Sequence, residues 1–479
     1  MEIAARPKAA PKKIIICAVI VASFAVLIFA VPSALGRNIN PMILASAFIL
    51  VCVYIVLFFE LFHRSTIALI GATSIIAVAL ALSSIQAEES FEFIVGAIDY
   101  NTIGLLLGMM VIVAILAESG VFQWVGIKAS KSSRGNLWKL MLMLCTFAAV
   151  ASMFIDNVTT ILLMVPVTIA VFRIFKVSPI PFILAQALAS NVGGAATLIG
   201  DPPNIIIGSA ANIDFNTFIL NMGPTIAVSF VASLFLLKMF FRKDLKAQVQ
   251  NLDQLMKENE NAYLKDKRIL TKSLGVLFGV IALFVVHGTL HLAPSVIALG
   301  GAAVLLVITR ASPEKVFHEV DWPTLLFFAG LFVIVGVAEH AGMINLLSSA
   351  ALAATGGDPW VTFAVIIWLS AIASAFVDNI PFTATMIPLI HDLNVNPGIS
   401  ALFGGMEVSP LWWALSLGAN LGGNGTLIGS SAGIIAAGLS EKNGNPISFN
   451  RWFRVGFPFM ILTVAIGTVI LMIDVLLRL

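Results

Sequence analysis

Two ten-residue stretches of the chain carry the same polar and small residues in the same order. NVGGAATLIG begins at Asn191, and NLGGNGTLIG begins at Asn420, 229 positions later. Adjacent glycines disfavour an uninterrupted helix, so each stretch predicts a helix break with freed backbone carbonyls. Those carbonyls, the amides and the hydroxyls are hard oxygen ligands suited to Na⁺ or to a water that carries a proton. The candidate ligand residues are Asn191, Gly193, Gly194 and Thr197 in the first stretch, and Asn420, Gly422, Gly423, Asn424 and Thr426 in the second.

A second repeated motif places a carboxylate beside an amide. ASMFIDN ends at Asp156-Asn157, and ASAFVDN ends at Asp378-Asn379, with Thr160 and Thr383 shortly after. An ionisable residue inside an apolar run is costly in a membrane and marks a functional site by default. Capping of a short helix is a compatible alternative role for both aspartates. We therefore predict two short hairpins whose tips carry these residues and face the two helix breaks.

The two breaks differ in the residues that come after them. The first continues Asp201-Pro202-Pro203-Asn204, whereas the second continues Ser430-Ser431-Ala432-Gly433. Asp201 therefore gives the first half a carboxylate that the second lacks, which suits a coupling ion on one side and substrate contact on the other. Asp201 and Asn204 join the candidate site, with a helix cap as the alternative role for Asp201.

Composition limits the classes of protein that the chain can be. Of its 479 residues, 59% are hydrophobic and only 11% are charged, whereas soluble proteins keep about a quarter charged. Apolar runs near bilayer-spanning length recur, as at Ile14–Val31, Ile43–Phe59 and Val455–Leu477, so we predict a polytopic membrane protein in contact with the lipid bilayer. A net charge of +2 predicts no nucleic-acid partner. The three cysteines lie in apolar runs without metal-ligand spacing, and we expect no cofactor and no metal beyond Na⁺ at the predicted site.

Basic residues predict the orientation of the loops. Arg6, Lys8, Lys12 and Lys13 precede the first span and place the N-terminus in the cytoplasm, while Glu88, Glu89 and Glu92 mark an external loop. Basic residues from Lys128 to Lys139, and again at Arg173 and Lys176, return the chain to the cytoplasm. No Lys or Arg occurs between Lys315 and Lys442, so the second hairpin approaches from outside.

The two halves are therefore predicted to be inverted repeats, an arrangement typical of secondary transporters. The fold class is all-α, with about 11 transmembrane helices plus two re-entrant hairpins and an external C-terminus. The predicted boundaries are 1–41 for a tail and first span, 42–241 for repeat 1, 242–272 for a solvated cytoplasmic linker and 273–479 for repeat 2. The hairpin tips are placed at 156–157 and 378–379, and the broken helices at 191–204 and 420–433.

At FIDNVTT, NVGGAATLIGDPPN, FVDNIPFTATMIP and GANLGGNGTLIGSSA the chain resembles the ion transporter superfamily. Within it, the likeness is to the arsenite permease and Na⁺–H⁺ antiporter group, especially to the pink-eyed-dilution P protein and its prokaryotic relatives. The resemblance covers nearly the whole chain after the first span. It implies a homodimer with a scaffold and a moving transport domain that works by an elevator motion. Divalent-anion/sodium symporters are more distant, and their hairpin tips typically read Ser-Asn-Thr where this chain has Asp-Asn.

These features predict an ion-coupled secondary transporter of a small ion or oxyanion in the cell membrane, with H⁺ or Na⁺ as the coupling ion. Cation–proton antiport, arsenite extrusion and citrate, dicarboxylate or other anion transport remain open, and so does a passive anion channel. An enzyme is not expected, because the sequence offers no nucleophile–base set. No Walker motif for ATP is present, so uphill work would come from an ion gradient.

Overall fold

The computed structural model of the chain describes residues 11–30, 39–59 and 61–479. The tail before residue 11, with Arg6 and Lys8, lies outside the described residues. All regular elements of the described ranges are helices. They are α1 (Pro11–Ala25), α2 (Pro41–Phe58), α3 (Arg64–Ala81), α4 (Ser90–Ala97), α5 (Tyr100–Glu118), α6 (Val121–Ser133), α7 (Leu137–Ser152), α8 (Asn157–Phe175), α9 (Ile180–Gly194), α10 (Pro202–Ala210), α11 (Phe215–Phe240), α12 (Leu252–Lys257), α13 (Lys267–Leu290), α14 (Pro294–Thr309), α15 (Pro313–Glu319), α16 (Trp322–His340), α17 (Met343–Thr355), α18 (Pro359–Phe376), α19 (Asn379–Asn394), α20 (Pro397–Phe403), α21 (Pro410–Gly422), α22 (Ser431–Lys442) and α23 (Phe449–Arg478).

The helix order agrees with the predicted all-α membrane architecture. Ten of the described helices are long and apolar enough to cross a membrane. Two of these, α8 and α18, are arms of the predicted hairpins. The other predicted spans are the 16-residue α14 and the two broken helices, α9 with α10 and α21 with α22, whose pieces are individually too short. The eleven predicted spans and two hairpins are thus all present in chain order.

Glycines repeated at an offset of 222 residues explain two helix crossings. The described residues up to Asp99, together with residues 321–353, form one compact unit, in which α3 packs on α16. A Cβ on Gly330 would lie 2.8 Å from the backbone carbon of Ala68. The second unit comprises residues 100–320 and 354–479, and there α5 packs on α14. A Cβ on Gly108 would lie 2.5 Å from the backbone carbon of Ala298. Each glycine therefore permits an equivalent close crossing of helices.

The first hairpin, α7 and α8, lies in the second unit and has both ends beside the linker. Gln250 N donates to Phe175 O at 3.1 Å, at the end of α8. At the start of the hairpin, Gly135 would place a Cβ 3.3 Å from the Leu252 side chain. Both ends of the hairpin therefore lie on one face of the unit, as a re-entrant hairpin requires.

Most residues of the linker are exposed, as its composition predicts, but the linker also makes specific contacts with neighbouring helices. Leu255 in α12 is fully buried, and Lys131 Nζ on α6 donates to Glu258 O at 2.8 Å and pairs with Glu260. Lys265 N also donates to Ser119 O at 2.9 Å. A short helix with one apolar side buried among polar neighbours is hard to distinguish from a charged loop by sequence, so this contact was missed.

The second hairpin, α18 and α19, is supported at its base by α20. Both arms contact α20, and the ring of Phe403 on α20 meets those of Trp360 and Phe363 on α18 at centroid distances of 5.8 and 6.5 Å. The start and end of this hairpin therefore share one face of the unit as well.

Candidate functional site

The hairpin tips begin helices that are capped by the predicted aspartates. Asp156 is the N-cap of α8 and accepts from Thr159 N at 2.9 Å. Asp378 is the N-cap of α19, and it accepts from Ile380 N at 3.1 Å and from Ser431 Oγ at 2.8 Å. The capping role that the sequence left open is therefore present at both tips. Both carboxylates are only partly buried, which leaves an additional role in ion binding as a prediction.

The helix breaks begin later than the sequence predicts. α9 continues to Gly194 and α21 to Gly422, so Asn191 and Asn420 lie in the last helical turn before each break. The non-helical segments are 195–201 and 423–430. Glycine weakens a helix by only about 1 kcal/mol relative to Ala, and the buried surroundings here outweigh that preference.

The paired glycines serve close packing against the hairpins. A Cβ on Gly193 would lie 2.2 Å from Ala149 O in α7, and a Cβ on Gly422 would lie 2.6 Å from Ala371 O in α18. Gly194 would place a Cβ 2.6 Å from Gly200 O within its own break, and Gly423 would place one 3.1 Å from Gly429 O. These glycines let each broken helix approach its hairpin, and none of the four adopts positive φ.

The threonines tie the breaks to the hairpins. Thr197 Oγ1 donates to Met153 O, and Thr426 Oγ1 donates to Ala375 O, in the same position of the two repeats. Both hydroxyls satisfy carbonyls freed at the end of the first hairpin arm. Thr383 Oγ1 donates to Asn379 O at 2.7 Å within α19, and Thr160 Oγ1 lies 3.5 Å from Ile155 O. The threonines therefore position the tips and the breaks through backbone groups.

Asp201 lies at the centre of the predicted residues. Its exposed fraction is only 1%, and Asn157 Nδ2 donates to its Oδ2 at 2.7 Å. Asn379 Nδ2, from the other hairpin tip, lies 3.4 and 3.5 Å from its two oxygens. Asp201 precedes α10, yet its side chain accepts no hydrogen bond from that helix. The geometry therefore places this carboxylate between the two hairpin tips and not in a cap.

The charged side chains in the segments that surround Asp201 are all acidic. The carboxylates of Asp378 and Asp156 act on it electrostatically. No Lys or Arg occurs within 140–172, 177–237 or 316–441, the stretches that supply both tips and both breaks. Across the described residues, no three acidic, His or Cys side chains are close enough together to chelate a metal. The three acids therefore form a dispersed negative cluster with no basic side chain from these stretches to balance it.

Asparagines connect the two halves around this carboxylate. Asn157 Nδ2 also donates to Asn191 Oδ1 at 3.0 Å. Asn191 Nδ2 donates in turn to Asn424 Oδ1 at 3.0 Å and to Ser430 Oγ at 2.9 Å, both in the second break. The hairpin tip and the two breaks thus share one hydrogen-bonded chain.

A second chain runs through Asn204. Its Nδ2 donates to Gly194 O at 3.1 Å and to Thr197 O at 2.8 Å, and its Oδ1 accepts from Asn420 Nδ2 at 2.7 Å. Ser416 Oγ donates to the same oxygen at 2.8 Å. The carbonyls freed by the first break are therefore satisfied by a side chain that reaches into the second half.

Sequence reasoning missed Ser416 and Ser430 as members of this cluster. Ser416 lies one helical turn before Asn420, so helical spacing could have placed both on one face. Ser430 occupies the position that Asp201 holds in the first repeat, at the offset of 229 residues. Extending the alignment of the two repeats past the shared motif, and asking which residue matches Asp201, would have found Ser430.

Comparisons with known proteins identify the family to which this architecture belongs. Residues 54–418 match the citrate transporter family. An uncharacterized transporter of Mycobacterium bovis is 37% identical over 423 residues, which cover 88% of this chain and 96% of the relative. The human P protein is 33% identical over 510 aligned residues that cover 90% of this chain but 60% of that protein.

Two solved transporters share the fold at low sequence identity. The Alcanivorax borkumensis YdaH transporter superposes with a TM-score of 0.55 at 15% identity, covering 85% of this chain and 97% of that one. MtrF of Neisseria gonorrhoeae also gives a TM-score of 0.55, at 11% identity. This superposition covers 82% of this chain and 83% of MtrF. The chain is therefore a member of the citrate transporter family within the ion transporter superfamily, a secondary transporter related to the P protein and to mycobacterial transporters.

Proposed function

We propose that this transporter couples the movement of a small ion or oxyanion to H⁺ or Na⁺, with Asp201 as the coupling carboxylate. The observation that carries the proposal is the 1% exposure of Asp201 together with the amide donors from both hairpin tips. An ionised buried carboxylate without a basic partner is costly. Binding of one cation or one proton removes that cost, so ion binding at the site and the net charge of the site are linked.

Alternating access follows from this linkage. A negatively charged cluster resists movement through hydrocarbon, whereas a neutralised one crosses more easily. The two hairpins offer opposite walls that open in turn. We extend the proposal to inverted repeats with the N-terminus inside and the C-terminus outside, on the basis of the basic loops. The cell-membrane location rests on the same distribution of basic loops, and the homodimer and the elevator motion rest on the family resemblance.

Citrate is the second candidate substrate, because residues 54–418 match the citrate transporter family. The negative cluster disfavours a free trianion, so citrate would enter with its charge balanced by bound cations. The same repulsion argues against a passive anion channel, since an open anion path requires positive or neutral walls.

The test is transport in proteoliposomes under an imposed gradient of pH or of Na⁺, with Na⁺, arsenite, citrate and chloride as substrates. The wild type should accumulate one of them uphill. Asp201→Asn retains the shape and an acceptor for Asn157 but removes the charge, so uphill accumulation should disappear.

Asp214→Asn is the matched control. Asp214 caps α11 by accepting from Thr217 N at 2.7 Å, and Asn caps helices about as well as Asp. This variant should transport like the wild type. Uphill transport by Asp201→Asn at the wild-type rate would reject Asp201 as the coupling group.

A further inference from the structure

Two fully buried asparagines of the second broken helix each carry one polar atom that the network leaves unpaired. Asn420 Oδ1 and Asn424 Nδ2 have no hydrogen-bond partner among the described residues, and both side chains have an exposed fraction of 0%. Buried polar atoms in native proteins are nearly always paired, so each exception calls for an explanation, such as local strain or a position that a water, ion or ligand group occupies. Asn420 lies in the last turn of α21, and Asn424 lies in the non-helical break that follows it.

Rotation of the Asn420 amide would not pair its oxygen. Its Nδ2 faces two carbonyl acceptors, Asn204 Oδ1 and Ser416 O, both at 2.7 Å, and lies 3.3 Å from Ser416 Oγ, which already donates to Asn204 Oδ1. The orientation of Asn204 is fixed in turn, because its Nδ2 donates to two backbone carbonyls. Exchanging N and O at Asn420 would place oxygen against oxygen. The unpaired atom at this position is therefore an acceptor.

The Asn424 amide is fixed by the other chain of hydrogen bonds. Its Oδ1 accepts from Asn191 Nδ2 at 3.0 Å, and Asn191 Oδ1 accepts from Asn157 Nδ2 at 3.0 Å. While Asp201 is ionised, Asn157 Nδ2 must face it, because an ionised carboxylate only accepts. Exchanging N and O at Asn424 would place two amide nitrogens against each other, so the unpaired atom here is a donor.

The first repeat has no equivalent pair. Asn191, which corresponds to Asn420, has both its oxygen and its nitrogen paired, and Ala195 stands where the second repeat has Asn424. The unpaired donor and acceptor therefore occur only in the second repeat's half of the cluster. They are not a feature that both repeats share.

We propose that Asn420 and Asn424 form a subsite for a hydroxyl group, whose O–H donates to Asn420 Oδ1 and whose oxygen accepts from Asn424 Nδ2. The assignment deepens the proposed transport function, on which it rests, by naming a chemical group of the substrate. A bare cation is repelled by the Asn424 donor, and a halide offers no proton to the Asn420 acceptor. A hydroxyl group satisfies both atoms, and a water molecule fills the subsite when substrate is absent.

The first test is a structure of the substrate-free protein in lipid nanodiscs at a resolution that shows ordered water. Density is expected at about 3 Å from both Asn420 Oδ1 and Asn424 Nδ2. No density within reach of both atoms, with each amide paired elsewhere, would overturn the proposal without reference to any substrate.

The second test compares citrate with tricarballylate, which carries the same three carboxylates but no hydroxyl group. Trp452 reports on this region, because its ring is fully buried and its Nε1 donates to Asn424 O at 3.2 Å. Binding is read from tryptophan fluorescence, and Trp452→Phe identifies the part of the signal that arises there. Citrate should bind at least about tenfold more tightly, since the bound analogue closes the subsite to water, offers no hydroxyl group and leaves both buried atoms unpaired.

Variants at Asn424 separate a specific role from a structural one. Asn424→Leu should reduce the citrate preference to about threefold or less, whereas Asn424→Ser retains a donor and should keep an intermediate ratio. Asn443→Leu, the same change at an exposed asparagine, should leave the ratio unchanged. Equal affinity of the wild type for both acids, or an unchanged ratio in Asn424→Leu, would refute the subsite.

The outcomes distinguish this inference from the proposed function. Hydroxyl preference without uphill transport would contradict ion coupling but support the subsite. Uphill transport without a preference for the hydroxyl group would support ion coupling but contradict the subsite. Where neither acid changes the fluorescence, the density between the two amides decides.

Discussion

The most direct test of how the broken helices are held is Gly193→Ala. A Cβ at this position would lie 2.2 Å from Ala149 O, 2.5 Å from its Cα and 2.6 Å from its carbonyl carbon. All three are backbone atoms, so no side-chain rotation can relieve the contact. Comfortable carbon contacts lie near 3.5 Å, so α9 would have to move about 1 Å away from α7.

The energetic cost follows from that displacement. Overpacking a tight contact typically costs about 1–3 kcal/mol, whereas Ala in place of Gly favours a helix by about 1 kcal/mol. We expect the net free energy of unfolding to fall by up to about 2 kcal/mol. The function should suffer more, because the same displacement separates Asn191 from Asn424, now 3.0 Å apart.

The assay is thermal unfolding of the purified protein in detergent, followed by uptake in proteoliposomes. Gly438→Ala on α22 is the matched control, because no atom lies within 4 Å of the added Cβ. That control should unfold at the wild-type temperature or slightly above and should transport normally. If Gly193→Ala matches Gly438→Ala in both stability and uptake, the packing role assigned to Gly193 is wrong.

Three further predictions address coupling, the linker and topology. Asp156→Asn and Asp378→Asn should keep their helix caps yet lose the pH dependence of transport or the ability to concentrate substrate; wild-type behaviour in both would shift the coupling role to Asp201 alone. The ammonium of Lys131 lowers the pKa of Glu260. The ion pair between these two side chains is therefore present at neutral pH and is lost as the pH falls through that lowered pKa. Protease cleavage of the linker should therefore increase on acidification, while Glu260→Gln should be cleaved readily at neutral pH with no acid-dependent step. Ser132→Cys and Ser400→Cys, both exposed and near the bases of the two hairpins, should react with an impermeant maleimide from opposite sides of the membrane; labelling from one side would rule out inverted repeats.

The repeated motifs made most of the architecture predictable. Carboxylate side chains are rare in membrane helices and paired glycines disfavour an uninterrupted helix, so Asp-Asn and Asn-x-Gly-Gly stand out, and their recurrence at fixed offsets predicted hairpins facing broken helices. The helix order and the central position of Asp201 agree with that prediction. The length of each helix before its break was wrong by a few residues, because burial keeps Gly193 and Gly194 helical.

The partner of each amide could not be read from the sequence. The repeats suggest that equivalent residues make equivalent contacts, but Asn191 bonds to Asn424 whereas Asn420 bonds to Asn204. The two asparagines have different partners because each repeat has only one of them: Ala195 stands where the second repeat has Asn424, and Gly433 stands where the first repeat has Asn204. Side-chain partners across the two halves are set by three-dimensional packing, which a motif search does not capture.

The ends of four helices explain how three carboxylates coexist in one cluster. α8, α10, α19 and α22 begin at Asp156, Asp201, Asp378 and Ser430, and each N-terminus carries about half a positive charge. Together they supply about two positive charges against about three negative ones, leaving a deficit of about one. That deficit matches one proton or one Na⁺, whose arrival would leave the cluster close to neutral. A basic residue in addition to the four helix ends would already balance the cluster, and the site would then have no charge deficit for a coupling ion to fill.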